Sequence, residues 1–172
     1  MSGNGSSVDT EAALDRARVL AARGSLSEAG AELDAVLAGA PEHPGALILK
    51  AGLLLESREG EQALALYQRA VAVSPLSAEA LNGLARCLHA LARDPEALAA
   101  AERARALLNQ GDNYRHASSV YLTLVWCLRE MRRYREALAT AEEGLNRAPD
   151  AILAQWASLV EEELAAAEQE EC

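Results

Sequence analysis

The chain has 172 residues, of which 51% are hydrophobic but only 3% aromatic, and its formal net charge at pH 7 is −10. This length suits one domain with a substantial core, and the abundance of Ala and Leu favours helices over sheets. The negative charge argues against a general binder of nucleic acid or anionic membranes, because phosphate contacts need a positive electrostatic field. The composition therefore predicts an all-α protein that binds no nucleic acid.

The N-terminal segment 1–9 is rich in Gly and Ser, and we expect it to be disordered. It has neither the charged region nor the apolar region of a signal peptide. The apolar run LILKAGLLLE is interrupted by Lys50, so no span for membrane insertion is predicted. The three Cys are an odd and unclustered set, which suits a reducing compartment. We therefore expect a cytoplasmic location, and the strong preference for Arg over Lys suggests a high-GC, bacterial genome.

After residue 9 the sequence repeats with a period of 34 residues. Pro41 and Pro75 close two similar segments, SEAGAELDAVLAGAP and EQALALYQRAVAVSP, and Pro149 closes a third, REALATAEEGLNRAP. Small residues recur within each period, and they allow two helices to pack closely. The Pro ends the second helix of each pair because it has no N–H to donate.

This pattern resembles the tetratricopeptide repeat, a helix–turn–helix unit of 34 residues. The segments that carry the resemblance best are LILKAGLLLESREGEQALALYQRAVAVSP and YLTLVWCLREMRRYREALATAEEGLNRAP. The third repeat departs from the pattern, because Asn109 stands where the Pro is expected. The resemblance implies a right-handed superhelical solenoid of antiparallel helix pairs. The predicted repeats span 10–43, 44–77, 78–111 and 118–151, with an insertion at 112–117.

Three further elements are predicted in the second half of the chain. Asp94 followed by Pro95 is typical of an N-cap and the first turn of a helix. The insertion 112–117 is expected to extend the following helix or to form a longer loop, and a partner-specific edge is the alternative. The segment 152–172 has an apolar stripe and an acidic opposite face, which predicts a helix that caps the open end of the solenoid.

No motif in the sequence predicts catalysis, since there is no GxSxG, HExxH, P-loop or dinucleotide fingerprint. Cys87, Cys127 and Cys172 form no CxxC and no Cys/His cluster with metal-ligand spacing. Cys87 and Cys127 hold the same place in two repeats, where the family usually has Ala, so both are expected in the core. We therefore expect no enzyme activity, no cofactor and no metal.

The resemblance also implies that the first helix of each repeat lines a concave groove that binds a peptide. The implied lining residues are Leu14, Arg18, Ile48, Gly52, Leu55, Asn82, Arg86, His89, Leu122, Trp126 and Arg129. Their Arg side chains would bind carboxylates, and the apolar members would hold an apolar side chain. The alternative is that these Arg pair with neighbours such as Glu79 and Glu130, and that Trp126 packs under the terminal helix.

Together these features predict a non-enzymatic protein–protein interaction scaffold or adaptor. Its partner would be another protein, bound through a peptide or helix that is acidic or C-terminal. Two other functions stay open at this point. One is a secretion-type chaperone for an export substrate, and the other is a self-assembling homo-oligomer whose groove binds the acidic C-terminal helix of another copy.

Overall fold

The computed structural model describes residues 4–109 and 111–170, with side chains described for 9–109 and 113–169. These residues form α-helices and one 3-10 helix but no strand, so the all-α prediction is confirmed. The α-helices are α1 (Asn4–Ala22), α2 (Leu26–Gly39), α3 (Pro44–Glu56), α4 (Gly60–Val73), α5 (Ala78–Ala90), α6 (Asp94–Ala106), α7 (Ala117–Glu130), α8 (Tyr134–Arg147) and α9 (Ala151–Glu170). The 3-10 helix spans Gly111–His116.

The chain divides into two compact units, the first ending at Pro75 and the second beginning at Leu76. In the first unit α1 pairs with α2 and α3 pairs with α4, while α3 also contacts both α1 and α2. Leu33 on α2 is wholly buried there in one cluster with Leu14 and Ala17 of α1. Since α1 begins at Asn4, residues 4–9 are helical, and the predicted disorder of 1–9 is wrong for them; residues 1–3 lie outside the described range.

In the second unit the first helices of successive pairs pack on one another. The middle helix α7 contacts both α5 and α9, whereas α6 and α8 make no mutual contact among the described residues. Helices α5, α7 and α9 therefore form one layer. Helices α6 and α8 form a second layer that packs against one side of the first. This arrangement gives α5, α7 and α9 a common surface, formed by their side chains that face away from α6 and α8.

The turn between the two helices of each pair has the same backbone conformation. Gly24 has a φ of 81°, and the corresponding positions Arg58, Ala92 and Arg132 have φ of 63°, 57° and 58°. Side chains with a Cβ rarely adopt this left-handed conformation, because the Cβ approaches the following carbonyl oxygen. The three non-glycine turns therefore carry strain that packing of the helix pair offsets.

The insertion forms the 3-10 helix Gly111–His116, and α7 begins directly after it. The sequence predicted an extension of the following helix or a longer loop here, but the residues up to His116 form a 3-10 helix instead. The side chain of Asn113 accepts a hydrogen bond from the backbone N–H of Ala78 at 3.1 Å and donates one to the carbonyl of Leu76 at 3.2 Å. Tyr114 Oη donates to the carbonyl of Arg147 at 2.6 Å. The insertion thus satisfies backbone groups at the start of α5 and the end of α8.

Helix α9 covers the end of the second unit, where it contacts α8 and α7. Leu153 and Val160 of α9 are wholly buried. Close approach is possible because α8 has Gly144 at the crossing; a Cβ there would lie 2.7 Å from Leu153 Cδ2 and from Tyr121 Cβ. The absence of a side chain at this position is therefore a requirement of the packing.

Candidate functional site

The groove residues predicted in the first unit differ in their exposure. Leu14 is only 2% exposed and belongs to the core, so its predicted place in an open groove is wrong. Arg18 is exposed, but its Nη1 lies 2.7 Å from Asp15 Oδ1 on the same helix. The predicted lining residues of α3 are half-buried: Ile48, Gly52 and Leu55.

In the second unit, Asn82, Arg86 and His89 lie four and three residues apart on α5, and this spacing places them on one helix face. Asn82 is only 5% exposed, and its Nδ2 donates a hydrogen bond to Ser119 Oγ of α7 at 2.7 Å. It is thus a core residue that joins two helices rather than an open groove residue. Arg86 is exposed, and none of the described residues forms a hydrogen bond or ion pair with it.

Aromatic rings connect the three helices of this layer. The imidazole of His89 stacks on the Trp126 indole with centroids 6.1 Å apart, and Trp126 meets Trp156 of α9 edge to face at 5.9 Å. Offset and edge-to-face contacts of this kind stabilise aromatic pairs beyond the area they bury. The indole N–H of Trp126 is buried, and it has no acceptor among the described side chains and backbone groups.

Arg129 is held by carboxylates of the same chain. Its Nε and Nη2 contact both carboxylate oxygens of Glu163 at 2.5 to 3.0 Å, and Nη1 lies 2.9 Å from Glu130 Oε1. Its guanidinium also lies over the Trp156 ring, 5.6 Å from the centroid, and the bond to Glu163 raises the pKa of Arg129. The alternative that Arg pair with neighbouring Glu and that Trp126 packs under the terminal helix is therefore right here. Glu79, in contrast, lies 3.9 Å from His116.

We define the inner surface of the second unit by five predicted groove residues of α5 and α7 that the structure leaves exposed or half-buried: Arg86, His89, Leu122, Trp126 and Arg129. Leu122, Trp126 and Arg129 share a face of α7 because of their spacing. Among these residues Arg86 has the guanidinium that is not already neutralised. The surface thus combines one available positive charge with half-buried apolar and aromatic side chains.

A second group of side chains meets beside the inner surface. His89 Nδ1 lies 2.6 Å from Asp94 Oδ1, and the three donor atoms of His89, Asp94 and Cys127 all lie within 4.8 Å of one another. Asp94 is the first residue of α6, with Arg93 at the N-cap position, so its predicted capping role is wrong. Sequence reasoning missed the group because Asp94 and Cys127 belong to different repeats, and only the packing of α7 against α5 and α6 brings them together.

This group does not have the properties of a catalytic triad. A nucleophilic Cys must be reachable by substrate and must form a thiolate. Cys127 has no exposed surface, and burial, followed by the charge of Asp94, raises its pKa to about 12. The expected core position of Cys87 and Cys127 agrees with the structure, since both are buried, whereas Cys172 lies outside the described residues.

A cavity of about 580 Å³ lies between the α7–α8 turn and the end of α9. Its charged lining includes Arg133, which bonds Glu136 at 2.6 Å, and Arg135, which bonds Glu168 at 2.7 Å. Because these carboxylates line the same cavity, its field is mixed rather than positive. The cavity is thus a weaker candidate than the inner surface for an acidic ligand.

None of the helices in the described part of the chain has both the length and the apolar content needed to cross a membrane. The architecture defines a class: helix pairs joined by short turns, stacked so that the first helices share a layer. Residues 76–150 match the family model described as "Tetratricopeptide repeat". The match covers less than half of the chain, and the fold of the whole described chain is that of tetratricopeptide repeat proteins.

Solved structures of other proteins show the same fold over most of the chain. The pilF protein of Pseudomonas aeruginosa is 22% identical, with a TM-score of 0.83 over 96% of this chain and 75% of its own. TTC0263, a TPR protein of Thermus thermophilus, is 23% identical, with a TM-score of 0.74 over 87% and 80%. YrrB, described as a TPR protein with an unusual peptide-binding site, is 19% identical, with a TM-score of 0.64 over 86% and 74%. Comparison with curated protein sequences finds no match.

These similarities confirm the predicted fold class, that of a tetratricopeptide-like solenoid. The fold supports a general role as a protein–protein interaction scaffold, and it is typically a non-catalytic module. At 18% to 23% identity, however, the similarities show only that the fold is shared.

Proposed function

We propose that the protein is a non-enzymatic, cytoplasmic scaffold or adaptor that binds an acidic or C-terminal peptide segment of another protein on the inner surface of the second unit. The observation that carries this proposal is the exposed guanidinium of Arg86, which no described carboxylate neutralises. It is the guanidinium of the inner surface that a partner carboxylate can bind without displacing another carboxylate, since Arg129 is held by Glu163 and Glu130. A carboxylate of the partner would accept charge-assisted hydrogen bonds from the Arg86 guanidinium.

The surroundings of Arg86 suit a peptide rather than a free anion. One turn along α5 lies His89, whose ring stacks on Trp126, and α7 adds the half-buried Leu122. Apolar and aromatic side chains next to a cation can bury one side chain of a peptide while its carboxylate is held. A free anion would use the charge but would gain nothing from the apolar neighbours.

The structure narrows the earlier prediction of several carboxylate-binding Arg. Arg129 is occupied by Glu163 and Glu130, and Arg18 by Asp15. A partner carboxylate would have to displace these carboxylates. The free energy gained from the new ion pair would then be largely offset by the loss of the existing one. The ionic part of recognition is therefore assigned to Arg86.

The likeness to YrrB supports the same kind of ligand, because that protein of similar fold is described as having a peptide-binding site. At 19% identity this likeness supports the class of ligand and not its sequence.

The proposal is tested by charge reversal with a matched control. Arg86→Glu replaces the available cation of α5, whereas Arg103→Glu makes the same change at an exposed position of α6, on the other side of the layer. Proteins captured from the native host by the wild-type chain are quantified by mass spectrometry, and the affinity of the principal partner is then measured for each variant. A charged hydrogen-bonded contact contributes about 1.5–3 kcal/mol, so we expect Arg86→Glu to weaken binding by about tenfold or more.

Arg103→Glu should bind the partner as the wild type does, because α6 does not contribute to the inner surface. Both variants should keep the helical circular dichroism of the parent. Equal binding by Arg86→Glu and the wild type would contradict the proposed surface, and so would equal losses in the two variants.

A further inference from the structure

The group formed by His89, Asp94 and Cys127 offers three different metal-binding atoms at one point of the second unit. His89 lies in the last turn of α5, Asp94 is the first residue of α6, and Cys127 lies in the last turn of α7. Their imidazole nitrogen, carboxylate oxygen and sulfur atoms all lie within 4.8 Å of one another, and no other such group is present in the described residues. We propose that these three residues bind one Zn²⁺ ion or a similar transition-metal ion.

The geometry needs only a small adjustment to hold the ion. Tetrahedral Zn²⁺ has bonds of about 2.0–2.3 Å to N, O and S, which places its ligand atoms about 3.3–3.7 Å apart. The present separations bracket that range, since the His89–Asp94 contact is 2.6 Å and the largest separation is below 4.8 Å. The ion would enter between the imidazole and the carboxylate and would replace their hydrogen bond.

The chemistry of the three ligands selects for a borderline metal. A thiolate with an imidazole suits Zn²⁺ or Co²⁺, while Mg²⁺ and Ca²⁺ require oxygen ligands. A thiolate and a carboxylate together neutralise a divalent ion, so the occupied site would have no net charge. The thiol proton of Cys127 leaves to solvent when the Zn–S bond forms.

The neighbouring charges do not oppose binding, because the adjacent Arg side chains have their own carboxylates. Arg93 makes two hydrogen bonds to Glu96, and Arg129 is held by Glu163. The ion can reach the site from solvent, since the side chains of His89 and Asp94 are 26% and 20% exposed. Cys127 lies beneath them with no exposed surface.

Three protein ligands leave the fourth tetrahedral position of Zn²⁺ open to a water molecule.

The probe is Co²⁺, which reports a thiolate ligand by charge-transfer absorption in the near ultraviolet. All chains carry Cys172→Ser, which removes the terminal thiol outside the described residues. The variants are Cys127→Ala, His89→Gln and, as the matched control, Cys87→Ala, which removes a buried Cys from the equivalent place on α5. Circular dichroism with each variant establishes that the helices are retained, and Ala is the residue the family usually has at both Cys positions.

The parent and Cys87→Ala should bind about one Co²⁺ per chain with the charge-transfer band, and Zn²⁺ should displace it. Cys127→Ala should lose the band, and His89→Gln should bind Co²⁺ at least about tenfold more weakly, because each removes one of three ligands. The same chains should show a Zn²⁺-dependent rise in melting temperature only where the band forms. A band that persists in Cys127→Ala, or a parent chain with no band, would overturn the proposal.

Discussion

At the scale of single residues, Gly144 determines how closely α9 can approach the helix pair beneath it. A Cβ at this position would lie 2.7 Å from Leu153 Cδ2 and equally close to Tyr121 Cβ and Cγ. The Tyr121 atoms belong to the rigid base of a fully buried side chain, whose Oη donates to Glu143 at 2.6 Å. The contact therefore cannot be relieved by rotating the end of a flexible side chain.

We predict that Gly144→Ala lowers the free energy of unfolding by about 1–3 kcal/mol, as overpacking of a close contact does. Chemical denaturation of the variant and the wild type measures the difference. Gly52→Ala is the control, because the atom nearest to its added Cβ is Tyr67 Oη at 3.6 Å. In a helix interior Ala is favoured over Gly by about 1 kcal/mol, so the control should be neutral or stabilising. Equal effects of the two changes would refute the packing account.

The turn between the paired helices gives a second prediction at this scale. Ala92 has a φ of 57°, a conformation that is more favourable for Gly than for Ala by about 1 kcal/mol. Ala92→Gly should therefore raise the melting temperature, although Gly is usually destabilising elsewhere. The reverse change at the corresponding position, Gly24→Ala, should lower it. A destabilised Ala92→Gly chain would show that the strain inferred from the backbone is not present.

At the scale of elements, α9 is held to α7 by an ion pair and by two aromatic contacts. The bidentate bond of Arg129 to Glu163 is partly shielded from solvent, with the two side chains 28% and 25% exposed. Trp156 packs on Trp126 and under the guanidinium of Arg129. This combination attaches the helix at its centre, while Leu153 anchors its first turn.

Glu163→Gln should loosen the C-terminal half of α9 without unfolding the rest. Losing a charged hydrogen bond costs about 1–3 kcal/mol, which translates into faster amide exchange in α9 measured by hydrogen–deuterium exchange mass spectrometry. Glu162→Gln is the matched control, because Glu162 is an exposed neighbour on the same helix. If exchange in α9 changes equally in both variants, the pair with Arg129 does not hold the helix.

The elements also show what the sequence could predict. The period of 34 and the recurring small residues identified the helix pairs, because packing imposes those residues at each crossing. The 3-10 helix of the insertion was not predictable, since it depends on Asn113 and Tyr114 bonding backbone groups 33 to 37 residues away. The helical residues 4–9 were missed for a different reason, as Gly and Ser alone argue against a helix there.

For the candidate site the same limit applies. The resemblance to the repeat family implied that Arg86, His89 and Trp126 lie on first helices and line one surface, and the structure brings His89 and Trp126 into contact. The resemblance could not show that Arg129 is neutralised, because Glu163 belongs to another element that only packing brings near. Nor could it show that Leu14 is buried, since the burial of a helix face depends on its neighbours.

At the scale of the whole molecule, the described chain consists of two compact units of helix pairs, and only the second is assigned a binding surface here. The general role of the fold as an interaction scaffold does not distinguish a peptide adaptor from an export chaperone or a self-assembling protein. The location of the contact does distinguish them. A chaperone would protect both units over large areas, and self-assembly would protect α9 in the absence of any other protein.

The most direct test is hydrogen–deuterium exchange of the full chain, alone and with the partner captured from the native host. The account predicts that partner binding slows exchange in α5 and α7, residues 78–90 and 117–130, while α6 and α8 exchange as in the free chain. The protection should disappear with Arg86→Glu at the same concentrations. Protection confined to α6 and α8, or to the first unit, would contradict the claim that the inner surface binds the partner.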